Sequence, residues 1–101
     1  MQQALVAVPA KGLGLYRIRG ADGTLLYIGE GSIRSRLKMH GAKAQRAILP
    51  QEVVFANAQP PDASWVVSSM WAAHQREELE TDLIAGFTLA TRTPPAAQFI
   101  G

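Results

Sequence analysis

The sequence predicts an α+β domain in which a small, mainly antiparallel three-stranded sheet is flanked by helices. Three observations carry that expectation. Between Gly14 and Gly29, two runs rich in aromatic and β-branched residues surround Gly20-Ala21-Asp22-Gly23, and Asp-Gly is a strong hairpin signal. Ser32 then precedes a helical stripe of Ile33, Leu37 and Ala44. From about Trp71 to Thr91 no proline intervenes, and Leu79, Leu83, Phe87 and Ala90 recur at helical spacing.

Taken in order, residues 14–19 and 24–29 are expected to form the first two strands. With Asp22 and Gly23 as the loop, Tyr16 faces Gly29 and Ile18 faces Tyr27, which puts both tyrosines on one face. A three-residue loop would move one of them to the other side. The first helix is expected to run from Ser32 to about Ile48, where Pro50 stops it, with a break possible at Gly41. Val53–Ala56 and Ser64–Ser68 read as strand material around a Pro-Pro-Asp turn, and the third strand is expected among them. The last long helix carries Arg76 and Glu80 one turn apart, a spacing that by itself suits a surface ion pair.

A chain of 101 residues makes one domain, 1–101, since a core of this size cannot be divided in two. Hydrophobic residues at 48% exclude an intrinsically disordered chain. No apolar run approaches the roughly 18 residues of a membrane span, so no membrane partner is expected. The N-terminus lacks a basic segment followed by a long apolar core, which makes the cytoplasm the expected compartment. With no cysteine, disulfides, thiolate metal sites and cysteine nucleophiles are excluded.

Charge is unevenly distributed. Eight cationic residues up to Arg46 oppose Asp22 and Glu30, whereas from Ala47 onward Arg76 and Arg92 oppose six carboxylates. A basic half suits a phosphate backbone, and an acidic cluster suits a cation opposite it. Gly29-Glu30-Gly31 does not make a dinucleotide loop, because Arg34 occupies the third glycine position, and no Walker loop occurs.

The order Gly14-Leu15-Tyr16, Tyr27-Ile28-Gly29, Ile33-Arg34-Ser35-Arg36-Leu37-Lys38-Met39-His40 and Leu79-Glu80-Thr81-Asp82-Leu83-Ile84 resembles the GIY-YIG nuclease domain over about residues 12–98. The resemblance implies a metal-dependent endonuclease that hydrolyses phosphodiesters in nucleic acid, DNA first. It implies Tyr16 and Tyr27 as active-site tyrosines, Arg36 as the phosphate-contacting arginine, His40 as its helper one turn later, and Glu80 as the ligand of Mg²⁺ or Mn²⁺. Arg34, Lys38, Lys43 and Gln98 are the expected nucleic-acid contacts. Relatives often carry lysine where this chain has Glu30, have one more residue before Ile33, and place Pro-x-Tyr-Asn-like residues near Gln98. These departures motivate the alternative of a catalytically weak or inactive nucleic-acid-binding or interaction module. Tyr16 is expected to act as base or to position water. Its ordinary pKa near 10 leaves about one molecule in a thousand ionised at pH 7, so Arg36, Lys38 or the metal would have to favour the phenolate. A chain this small leaves specificity to a protein partner or to self-association.

Overall fold

The computed structural model describes residues 8–9, 11–58, 61–68 and 70–100. Three strands, β1 (Leu13–Arg19), β2 (Leu25–Ser32) and β3 (Asp62–Val67), form one antiparallel sheet in the order β2-β1-β3. Helices α1 (Ile33–Arg46) and α2 (Pro50–Asn57) lie on one side of it, and α3 (Ala73–Thr91) lies on the other. The expected α+β class is therefore observed. No described helix is long and apolar enough to cross a membrane.

The hairpin has the expected register by a different route. Gly20 N–H bonds to Thr24 C=O and Gly23 N–H to Gly20 C=O, at 2.8 and 3.0 Å, so the loop is Ala21-Asp22-Gly23 rather than two residues. Gly23 takes φ 85°, the left-handed conformation such a loop requires. An odd loop would separate the tyrosines, but β2 compensates with a bulge: Arg19 pairs with Leu25, Ile18 with Tyr27, and Leu26 is the extra residue. Leu26 and Tyr27 consequently point to the same side, while Leu25 and Ile28 point to the other.

Gly14 serves the second pairing. A Cβ there would collide with the Val66 carbonyl of β3, so only glycine lets the two backbones approach this closely. Ile18, Leu26, Ile33, Leu37, Phe55, Val8 and Ala97 build the main core around Tyr16 on the α1/α2 side. A smaller cluster of Leu25, Ile28, Ile84 and Phe87 fastens α3 to β2.

Several expectations are corrected. Val53–Ala56 is helical, because Leu49-Pro50-Gln51-Glu52 starts a helix instead of ending one. Proline at the first helical position gives up an N–H that would be unpaired there anyway, and the Glu52 carboxylate accepts the N–H groups of Ile48 and Leu49 at 3.2 and 3.1 Å. Helix α1 ends earlier than expected, at Arg46, with Ala47 in the left-handed region (φ 50°), and passes through Gly41 without a break. The third strand begins two residues sooner than expected, and the turn before it falls partly outside the described residues. In α3 the inward row is also displaced. Arg76, Ile84 and Phe87 face the sheet with Glu80 between them, whereas Leu83 is 49% exposed.

Residues 96–98 run along the free edge of β2. Ala96 and Ala97 N–H groups bond to the Leu25 and Leu26 carbonyls at 3.1 and 2.8 Å. The Gln98 amide continues the ladder as a backbone surrogate, its Oε1 accepting Ile28 N–H at 3.0 Å and its Nε2 donating to Ile28 C=O at 3.2 Å. A covered edge does not recruit foreign strands. Gln98→Ala is expected to leave both Ile28 groups without partners and to lower unfolding stability by about 1–3 kcal/mol in urea melts. A change below about 0.5 kcal/mol would show that water replaces the amide without loss.

Candidate active site

The site is assembled where β1, β2, α1 and α3 converge. Gly29 lies opposite Tyr16, and a Cβ at position 29 would fall into the phenol ring, so this glycine gives Tyr16 its room. The Tyr16 and Tyr27 rings stack with centroids 6.2 Å apart and planes 22° from parallel. The expectation that they share a face is met.

His40, one turn after Arg36 on α1, is fully buried and reaches Tyr16 Oη through Nε2 at 2.8 Å. Its ring also packs on Tyr27 and Phe55, at centroid distances of 4.6 and 5.0 Å. Burial, together with the charges of Lys43 and Arg36, pushes its pKa down to about 4, so the imidazole is neutral at pH 7. Tyr16 moves the other way. Burial and the neighbouring Tyr27 raise its pKa above the ordinary phenol value, and the opposing charge of Arg36 does not compensate. The expected help toward a phenolate is thus overridden by desolvation. The tautomer sets the direction of this bond: with the ring proton on Nδ1, Tyr16 O–H donates to His40 Nε2, and with it on Nε2 the imidazole donates to Tyr16 Oη. Nδ1 of His40 has no partner among the described residues.

Arg36 is exposed on the first part of α1, and its positive charge acts on Tyr16, Tyr27, His40 and Glu80 alike. Gly31, at φ 118°, passes over its guanidinium, and a Cβ there would come to 3.4 Å from Arg36 Nε. Glu80, half-buried on α3, acts in turn on both tyrosines. Its carboxyl pKa is raised first by burial and then by the charge of Glu30, with Arg36 and the Glu30 backbone N–H opposing.

The surface ion pair between Arg76 and Glu80 is not formed. Arg76 bonds across the fold to Glu30 at 3.2 Å and to the Trp71 carbonyl at 2.9 Å. Sequence spacing along one helix could not reveal a partner 46 positions away on β2.

The expected nucleic-acid contacts divide. Lys38 is exposed on α1, two residues after Arg36. Arg34 donates to the Val8 carbonyl at 2.6 Å, Lys43 to Gln51 Oε1 at 2.7 Å, and the Gln98 amide is taken up by Ile28. These three act inside the fold.

The depressed pKa of His40 has a consequence for stability. Protonation favours the unfolded chain, so the contribution of neutral His40 is complete above about pH 6.5 and is lost as pH falls toward about 4. Glu52 and Asp22, whose carboxyl pKa values are lowered by hydrogen bonds, act in the same direction below their ordinary range. Glu80, whose carboxyl pKa is raised, opposes them within the window from pH 6.5 to 4.5, because there the native chain holds a proton that the unfolded chain has released. The histidine is therefore isolated by comparison with a His40 variant. Urea melts should show unfolding stability falling there by up to about 1.4 kcal/mol per pH unit, and His40→Gln should flatten the slope. A slope unaffected by His40→Gln would show that this ring is not the titrating group.

No protein-family model matches the chain, and no curated protein is significantly similar to it.

Proposed function

We propose that the protein is a metal-dependent endonuclease of the GIY-YIG type, hydrolysing phosphodiester bonds in nucleic acid, DNA first. The observation that carries this reading is convergence. The hydrogen-bonded Tyr16–His40 pair, the stacked Tyr27, the Arg36 guanidinium and the Glu80 carboxylate come from four separate elements, and the charges of Arg36 and Glu80 both act on the two tyrosines.

The donor set suits a hard cation. Glu80 offers oxygen, and the neighbouring Glu30 adds negative charge that a cation would relieve. Mg²⁺ keeps several waters and takes one or two carboxylates, so Glu80 alone is sufficient protein ligation for it. Bound Mg²⁺ or Mn²⁺ supplies stabilisation of negative charge on the leaving sugar oxygen.

The chain's own residues do the rest. Arg36 presents planar donors to the non-bridging oxygens, where charge accumulates as water attacks phosphorus. Tyr16 works as a proton conduit rather than a standing phenolate. Its oxygen accepts a hydrogen bond from the attacking water while its own proton is directed at His40 Nε2. Burial is the main reason His40 stays neutral, and the phosphodiester's negative charge at Arg36 offsets the smaller part that comes from Arg36, so the imidazole becomes a better acceptor when substrate is present. Tyr27, held against both Tyr16 and His40, fixes the water's approach. Lys38 contacts a flanking phosphate, and a protein partner or a second copy supplies sequence preference.

The competing reading is a catalytically weak or inactive nucleic-acid-binding or interaction module, and Glu30 favours it by adding a second carboxylate where phosphate must approach. Supercoiled plasmid incubated with Mg²⁺ or Mn²⁺, with and without EDTA, decides between them. Cleavage that EDTA abolishes is expected. Glu80→Gln should reduce it by orders of magnitude with the fold retained, while Glu77→Gln, Glu78→Gln and Asp82→Asn, at exposed positions, stay active. Full activity in Glu80→Gln, with loss in one of the other three, would put the metal on a different carboxylate. No cleavage with any metal, alongside intact binding, would select the module.

A further inference from the structure

Phe99 stands out from its surroundings. Its neighbours Ala97 and Gln98 are buried and pinned to β2, yet its own ring is 78% exposed on a backbone with φ 63°, a conformation rare for a bulky residue. The ring borders an open cleft of about 510 Å³ between α3 and the tail, whose walls include Glu80, Ile84, Ala85, Leu89 and Gln98. Glu80 therefore belongs to both the cleft and the proposed reaction centre.

We infer that this cleft takes an unstacked nucleobase adjoining the scissile phosphate, with Phe99 as its stacking surface, so that the substrate is single-stranded or locally unpaired nucleic acid. The inference rests on the nuclease reading and names its substrate class. Three features of the cleft carry it. The first is continuity: Glu80, which the proposed reaction centre uses, also lines the cleft, so a nucleotide whose phosphate is bound at that carboxylate through a cation has the cleft beside it. The second is charge. Among the described residues lining it there is no cation and Glu80 is the one charged group, so beyond Glu80 the walls offer a phosphate no partner and suit the neutral base of a nucleotide.

The third is the state of its polar groups. The Thr88 hydroxyl donates to the Ile84 carbonyl at 2.7 Å, the Thr81 hydroxyl donates to the Glu77 carbonyl at 2.9 Å, and both ends of the Gln98 amide are engaged by Ile28. A base would find apolar wall and an aromatic face, with its hydrogen-bonding edge unread. Stacking of that kind tolerates any base but requires one that is not already stacked inside a duplex.

The test uses the intact protein in EDTA with a single-stranded oligonucleotide carrying one 2-aminopurine, whose fluorescence reports stacking, and the same sequence as a duplex. Wild type is expected to bind the single strand more tightly and to change the fluorescence, with thymine and adenine neighbours giving affinities within a few fold of each other. Phe99→Ala should weaken single-strand binding roughly tenfold or more and abolish the fluorescence change, Phe99→Tyr should restore both, and duplex binding should not move. Single-strand affinity and fluorescence unchanged by Phe99→Ala, in a protein that still cleaves nucleic acid with Mg²⁺, would overturn the inference and leave the nuclease reading standing. Absence of both binding and metal-dependent cleavage would overturn the two together.

Discussion

The hydrogen bond between Tyr16 and His40 constrains the rest of the molecule. Both side chains are buried, so each must find its partner inside, and breaking such a bond costs about 1–3 kcal/mol. Tyr16 belongs to the central strand and His40 to α1, which fixes the distance and rotation of that helix over the sheet. The Tyr16 ring reaches its position over Gly29 because that residue has no side chain, and Tyr27 joins the stack because the Leu26 bulge turns it to the same face. Glycine, bulge and tyrosine pair are one arrangement.

The other wall of the site obeys different physics. Helix α3 meets the sheet through a small apolar cluster at Ile84 and Phe87, and through the ionic contact of Arg76 with Glu30. Glu80 lies between these two attachments, one turn from each, so its carboxylate is positioned from both sides. Glu30 has two effects at once. It anchors Arg76, and its charge raises the pKa of Glu80, leaving a pair of carboxylates whose mutual repulsion a cation would relieve. Where relatives of the resembled family carry lysine, this chain pairs a carboxylate with an arginine from α3.

Much of this was legible in the sequence, for identifiable reasons. Alternation around Asp-Gly predicted the register that places Tyr16 opposite Gly29, although the agreement depends on two deviations, an odd loop and a bulge, that cancel. Helical spacing predicted that Arg36 and His40 share a face, and it found α3 nearly to its ends. What escaped was set by tertiary contacts. Val53 and Val54 favour strands, but Pro50 as first helical residue and Glu52 reaching back to Leu49 make the segment a helix. That signal was present and was read as a stop. The partners of Arg76, Arg34 and Gln98 were not readable, because each lies far away along the chain. The leucine row of α3 is off by one position, since the side that faces inward carries Arg76, paired with Glu30, together with Ile84 and Phe87 in the apolar cluster.

The central claim is that Tyr16, Tyr27, His40, Arg36 and Glu80 form one site that takes a divalent cation at Glu80. Mn²⁺ titration followed by NMR examines it directly, because the paramagnetic ion broadens resonances near where it binds. The account predicts that sub-stoichiometric Mn²⁺ broadens the Tyr16, Tyr27 and Glu80 signals first, that Mg²⁺ competes the effect away, and that Glu80→Gln abolishes it. Broadening confined to the exposed carboxylates Glu77, Glu78 and Asp82, with the tyrosines sharp, would contradict it.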